Sequence, residues 1–342
     1  MFLAEQTQPA SILTDSWSIP AVLEPAGCVP ARPVCLEFLR EHLTTKNTSI
    51  EYRRASQGGQ QLKNWFVPQD WRPSASPSYV LKVQSFAKGG YEATLRLLDL
   101  DKIARAMEPV RRLGERKKPV DVDEDNQRKA AKRAKKKMRY LIRNMAADHL
   151  VTLTKREKEG SEYWTEEQWR DAWARLRRMI VRVIGDFPYV VVMERHKKGN
   201  FHLHVAWCGR VNVGQLRKMW TAVLGGVHGS GNVDAKFIRV RQGQNRAVRV
   251  ASYVTKYIAK DVLENARFNK KRYWASKQTL EELRRYVLGA DTLEAALGKM
   301  GGLVGFDLRP LLGTDSVFVF PDWSGLWYSH HPGMNTGSDP PF

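Results

Sequence analysis

The chain has 342 residues, with 56 Lys+Arg against 36 Asp+Glu, a formal net charge of +20 and 42% hydrophobic residues. That is enough apolar material for about two domains at roughly 100–200 residues each, which excludes wholesale disorder. A run of about 18 apolar residues and a basic-then-apolar leader are both missing, so neither a membrane span nor secretion is expected, and the expected compartment is the cytoplasm. Cys28, Cys35 and Cys208 form no Cys-x-x-Cys pair, which argues against a disulfide framework and a cysteine-based zinc site. The excess of cations points to a phosphate-rich partner.

Residues 1–80 are rich in Pro, Ser and Gln and show no sustained period of 2 or 3.6, so they predict no element. A weakly helical stretch is predicted over Ala93 to Ala106, and Arg111 to Asp125, with Pro119 and a run of acids, reads as a linker. This divides the chain into an N-terminal region 1–125, a central domain 126–264 and a C-terminal extension 265–342. The segment Arg128 to Arg143 carries 9 basic residues in 16, free of Gly and Pro, and predicts a basic helix. Its cations, Arg128, Lys129, Lys132, Arg133, Lys135, Lys136, Lys137, Arg139 and Arg143, are candidate contacts to a nucleic-acid backbone. Met138, Leu141 and Ile142 give it an apolar edge for docking.

A strand is then predicted over His149 to Thr154 and a helix over Thr165 to Ile184, with Trp169, Trp173, Leu176 and Ile180 at core spacing. Tyr189 to Glu194 and Phe201 to Cys208 read as an antiparallel hairpin with Lys197 to Asn200 as its turn. A helix (Val213 to Leu224), a strand (Ala235 to Val240) and a helix (Arg246 to Leu263) follow, and another helical stretch is predicted over Thr279 to Val287. The order β-α-β-β-α-β-α predicts an α+β fold, an antiparallel sheet with packed helices in a ferredoxin-like or RRM-like layout.

In the strand FHLHVAWC, residues two apart share a face. Phe201, Leu203, Val205 and Trp207 therefore form a core face, and His202 and His204 stand on the other. Two imidazoles suit a shared divalent ion, and Glu194 across the hairpin is the third candidate ligand. In the helix ASYVTKYIAKD, Tyr253, Lys256, Tyr257 and Lys260 form one polar stripe beside Val250, Val254, Ile258 and Val262. A phenol is a poor nucleophile at pH 7 unless neighbouring cations favour its ionised form and neutralise the electrophile. Lysines and a divalent ion would do both for attack on a phosphodiester.

HLVTLT, then VVMERHKKGNFHLH, then SYVTKYIAKD resemble motifs I, II and III of the HUH endonucleases, and the paired tyrosines resemble those of rolling-circle replication initiators of phages and plasmids. The resemblance implies Mg²⁺ or Mn²⁺ on His202, His204 and Glu194, and Tyr253 and Tyr257 as nucleophiles. Lys256 would partner the phosphate, and Lys260 matches by internal symmetry only. It further implies nicking of one strand of single-stranded or hairpin origin DNA in a bacterial host, leaving a 5′-phosphotyrosine and a free 3′-OH. A host helicase and a single-strand-binding protein would be partners, because Met300 and Leu293 spoil the only approach to a Gly-x-x-x-x-Gly-Lys-[Ser/Thr] loop. A two-tyrosine transposase shares the chemistry, and a non-catalytic single-stranded DNA-binding protein is the alternative from another class.

Overall fold

The computed structural model describes residues 52–57, 60–70, 77–88, 90–99, 101, 103, 124–157, 162–196, 199–241, 244–264, 273–304, 317–320 and 324–330. Twelve strands and five helices among them build an α+β fold with two sheets. Among the described residues no helix is long and apolar enough to cross a membrane. The linker segment lies almost wholly outside the described residues.

The central sheet runs β8-β5-β7-β6-β9, all antiparallel. Its strands are β5 (His149–Lys155), β6 (Tyr189–Arg195), β7 (Phe201–Trp207), β8 (Gly231–Phe237) and β9 (Trp274–Ala275). On one face lie α2 (Glu166–Ile184) and α3 (Val213–Val223). Helix α2 starts at a capping box, in which the Gln168 N–H donates to Thr165 Oγ1 at 3.3 Å and the Thr165 N–H donates to Gln168 Oε1 at 2.7 Å. It buries Trp169, Trp173, Leu176 and Ile180 against Leu153, Leu203 and Val205, as the helical spacing predicts. The opposite face carries α1 (Glu124–Asn144) and α4 (Arg246–Glu264), which place Met138, Ile142, Val250 and Val254 on Leu150, Val190, Val192 and Ala206.

Strand β8 starts and ends earlier than the predicted span of Ala235 to Val240. The Gly-Ser-Gly run looks like a turn, but Gly231 already belongs to the ladder. A Cβ there would lie 2.4 Å from the Thr154 carbonyl oxygen and 2.4 Å from Leu224 Cδ1, so the strand can begin this close only with glycine.

The second sheet has the order β1-β2-β10-β3-β4-β12-β11. It joins β1 (Tyr52–Gln57), β2 (Gln60–Pro68), β3 (Ser78–Ser85) and β4 (Tyr91–Leu98) to β10 (Arg284–Val287), β11 (Val317–Val319) and β12 (Gly325–His330). Helix α5 (Leu293–Val304) covers one face, packing Ala296, Leu297 and Met300 with Tyr79, Leu81, Leu95 and Tyr328. Two helical expectations fail here, one wholly and one in part, since Asp101 and Ile103 of the Ala93 to Ala106 stretch are helical. Residues 93–98 belong to β4, paired on both edges, and Thr279 to Val287 ends in β10, held between β2 and β3. In both, tertiary pairing overrides the helix-forming Ala, Leu, Glu and Arg.

The basic helix forms, but its cations do not all face outward. Arg143 is buried: it meets Glu92 of β4 at 3.0 Å and donates to the carbonyls of His330 at 3.0 Å and Tyr91 at 3.3 Å. Arg139 grips the other oxygen of the same carboxylate. Arg143 is therefore withdrawn from any DNA and Arg139 is committed to Glu92, because a buried carboxylate needs paired charge. Lys129, Lys132, Arg133, Lys136 and Lys137 are exposed, Lys135 is half-buried, and the Arg128 side chain lies outside the description.

Burial alone would raise the Glu92 pKa, but the Arg139 and Arg143 guanidiniums overcome it and hold the carboxyl below its ordinary range. The ionised form thus contributes stability above the unfolded pKa of about 4.3, and that contribution is lost as pH falls through the depressed folded value. Glu92→Gln is expected to cost about 3–5 kcal/mol near neutrality. Urea unfolding of both proteins as a function of pH checks this, since the gap should narrow in acid.

Candidate active site

Cross-strand register sets the site. One row across the central sheet reads Asn232, Thr154, His202, Glu194, and the next reads Asp234, Thr152, His204, Val192. Directly opposed residues of antiparallel strands project to the same side. The hairpin therefore puts Glu194 opposite His202 and diagonal to His204.

The face that carries the histidines is not an open one. Further along it Ala206, Val190 and Leu150 are covered by α1 and α4, so the imidazoles sit at the rim of a second core. His204 is only 4% exposed, and His202 is half-buried. His204 Nε2 lies 2.9 Å from Glu194 Oε2, and its Nδ1 lies 3.1 Å from Thr152 Oγ1. Both ring nitrogens are engaged, which fixes the plane of the imidazole. The pKa of His202 is lowered, chiefly by burial and then by His204, with Glu194 opposing, so its neutral, lone-pair form is favoured. The ring of His196, at the end of the hairpin, stacks on His202 with centroids 5.5 Å apart.

Helix α4 crosses above. Val250, Ala251 and Val254 are buried beneath it, while Tyr253 is 41% exposed with its ring centroid 6.1 Å from that of His204, edge to face. Lys256, three residues on, is exposed. Tyr257 and Lys260 occupy the following turn of the same helix, and their side chains lie outside the description. A phenol, two imidazoles and a carboxylate thus meet at one rim. Among the described residues, no group of three or more His, Cys, Asp or Glu side chains is gathered closely enough to hold a metal ion. The donor chemistry nonetheless suits a divalent cation: two imidazoles, one fixed through its second nitrogen by a hydroxyl, and a carboxylate already on the other nitrogen.

Thr152 and His196 escape a sequence reading. Thr152 stands in a strand recognisable as such, but its partner lies 52 residues away and only the β5–β7 register discloses it. His196 sits in a turn, where a lone histidine carries no signal.

Residues 148–262 match the family model of replication-associated proteins of the ORF2 and gene II protein type. The match covers about a third of the chain and supports an HUH-type Rep identity for this stretch, with a rolling-circle Rep nuclease function. It contains the whole histidine hairpin and both tyrosines, and leaves the seven-stranded sheet outside. The comparisons found no matching curated protein and no matching solved structure.

Removing the Thr152 hydroxyl takes away one of the two hydrogen bonds that fix the His204 ring. Thr152→Val is expected to weaken Mn²⁺ binding by about 10–100-fold, measured by calorimetry on the full chain.

Proposed function

We propose that the chain initiates rolling-circle replication by cutting one strand of single-stranded or hairpin origin DNA through Tyr253 or Tyr257. The observation that carries this is the seating of Tyr253 on α4, exposed and edge-on to an imidazole that is hydrogen-bonded to a carboxylate. We read residues 126–264 as the endonuclease unit. The strand order β8-β5-β7-β6, with α2 and α3 on one face, supports a ferredoxin-like core for it.

His202, His204 and Glu194 would hold Mg²⁺ or Mn²⁺, which supplies Lewis-acid polarisation of a non-bridging phosphate oxygen. The chain's own groups do the rest. Thr152 and Glu194 fix the His204 ring, and α1 and α4 exclude water from its inner side. The tyrosine oxygen attacks phosphorus as its phenolic proton is lost, and the P–O3′ bond breaks. The departing oxygen takes up a proton as the free 3′-OH, and the 5′ phosphate remains on tyrosine. Because one phosphate ester replaces another, a later 3′-OH can attack the tyrosyl ester and rejoin the strand. The second tyrosine, one turn along the helix, would open the regenerated origin. Lys256 and Lys260 would neutralise the phosphate. The work would take place in a bacterial cytoplasm, with a host helicase and single-strand-binding protein opening the duplex.

Incubation with single-stranded origin oligonucleotides and Mn²⁺ should give a protein–DNA adduct that survives denaturant. Tyr253→Phe combined with Tyr257→Phe should abolish it, and an adduct persisting in that double variant would assign the chemistry to another nucleophile.

A further inference from the structure

The seven-stranded sheet has two unlike faces. One is the apolar core under α5. The other buries a smaller apolar cluster of Trp65, Val67, Val80, Ile103 and Val287, and beside it strand register lines up Arg285, Lys82, Thr94, Trp327 and Phe318 in a single row across β10, β3, β4, β12 and β11. Arg96, two residues beyond Thr94 on the same face, lies over the Phe320 ring at 4.4 Å, and Arg285 lies over Trp65 at 5.5 Å. Helix α1 borders this face through Arg139 and Arg143 on Glu92, and brings Lys136 alongside.

A purely structural role explains this row poorly. Arg285 and Lys82 stand directly opposite each other on neighbouring strands, about 4.8 Å apart in backbone spacing, an arrangement of like charges that destabilises a sheet. Among the described residues no carboxylate forms an ion pair with Lys82, Arg96, Lys136 or Arg285, and Glu92, their near neighbour, is already shared by two arginines. The Lys82 pKa is depressed, first by burial and then by Arg285, Lys136 and Arg96. These cations are half-buried or exposed and sit among the half-buried rings of Trp327, Phe318 and Phe320. A small anion would need the cations alone, and a duplex presents only its phosphates to a flat face. Cations interleaved with ring faces fit a ligand that offers phosphates and unpaired bases together.

We propose that this face of the seven-stranded sheet, centred on Lys82, Arg285, Arg96 and Trp327 and continued by Lys136 of α1, is a second binding site that takes single-stranded DNA. It rests on the nuclease reading only for the choice of DNA, and requires no metal and no tyrosine. Helix α1 borders this face with one side and packs on α4 with the other, so one helix stands between a strand held here and the element that carries the tyrosines.

The test is fluorescence anisotropy of an oligothymidylate of about 16 nucleotides with the full chain in EDTA, over a range of salt. Lys82→Glu with Arg285→Glu should weaken binding at least about tenfold and make the salt slope shallower by about 1.4, at about 0.7 per lost phosphate contact. Arg175→Glu with Arg178→Glu on α2, an equal change of charge at exposed positions elsewhere, should leave affinity within about twofold. Should the reversal unfold the sheet, Lys82→Gln, which removes a charge without adding one, should still weaken binding several-fold with an unchanged unfolding midpoint. No loss on the sheet, or an equal loss from the α2 pair, overturns the site, and a duplex of the same length that competes equally overturns its assignment to single strands. Adduct formation by the wild type on origin DNA is scored alongside. Its absence would remove the nuclease reading while leaving the binding result standing.

Discussion

The Glu92 carboxylate, gripped by Arg139 and Arg143 away from water, is the constraint on which the arrangement of the molecule depends. It anchors α1 to the seven-stranded sheet, and the neighbouring Asn144 reinforces the anchor by accepting the Ala87 N–H at 2.9 Å. The opposite side of α1 packs on α4 through Met138, Leu141 and Ile142. A helix that looks in sequence like a solvated basic arm is therefore a strut, with one side held by charge and the other by apolar contact. The tyrosine helix is placed through it.

The site obeys the same economy. The alternation of β7 gives one strand two cores and leaves the histidines at the rim of the second, where burial lowers the His202 pKa and hydrogen bonds fix the plane of His204. Helix α4 repeats the pattern, with Val250 and Val254 inward and Tyr253 outward. Two periodicities, 2 and 3.6, thus bring a phenol over an imidazole without a dedicated loop.

Legibility in the sequence follows locality. The β6–β7 hairpin, the Trp-bearing α2 and the paired stripes of α4 can be read because each is specified by its own residues and a short turn. Strand β3, SYVLKVQS, cannot, since Ser78, Val80 and Gln84 on the face of the half-buried Lys82 are themselves buried, so alternation is lost. Strands β4 and β10 read as helix because EELRR and the Ala93 segment favour helix locally and yield only to partners distant in the chain. The fate of Arg143 is hidden for the same reason: nothing within 128–143 separates it from Lys137, and only Glu92, 51 residues away, does. The cation row on the second sheet is invisible for a stronger reason, as its members come from opposite ends of the sequence.

The placement of β10 between β2 and β3 has a bearing on how the chain comes to be folded. The β1–β2 and β3–β4 pairs cannot be joined to each other until residues 284–287 exist, and the sheet is not complete until residue 330. The central sheet, apart from the two-residue β9, is finished by residue 237, with its helices in hand by 264. On a ribosome the nuclease core is thus able to assemble while the early strands wait with open edges, which are prone to pairing with other chains. Long-range closure of this kind is slow. Assembly of the outer sheet therefore reports that synthesis has passed residue 330, and a chain released earlier would carry a formed catalytic core beside an unfinished sheet.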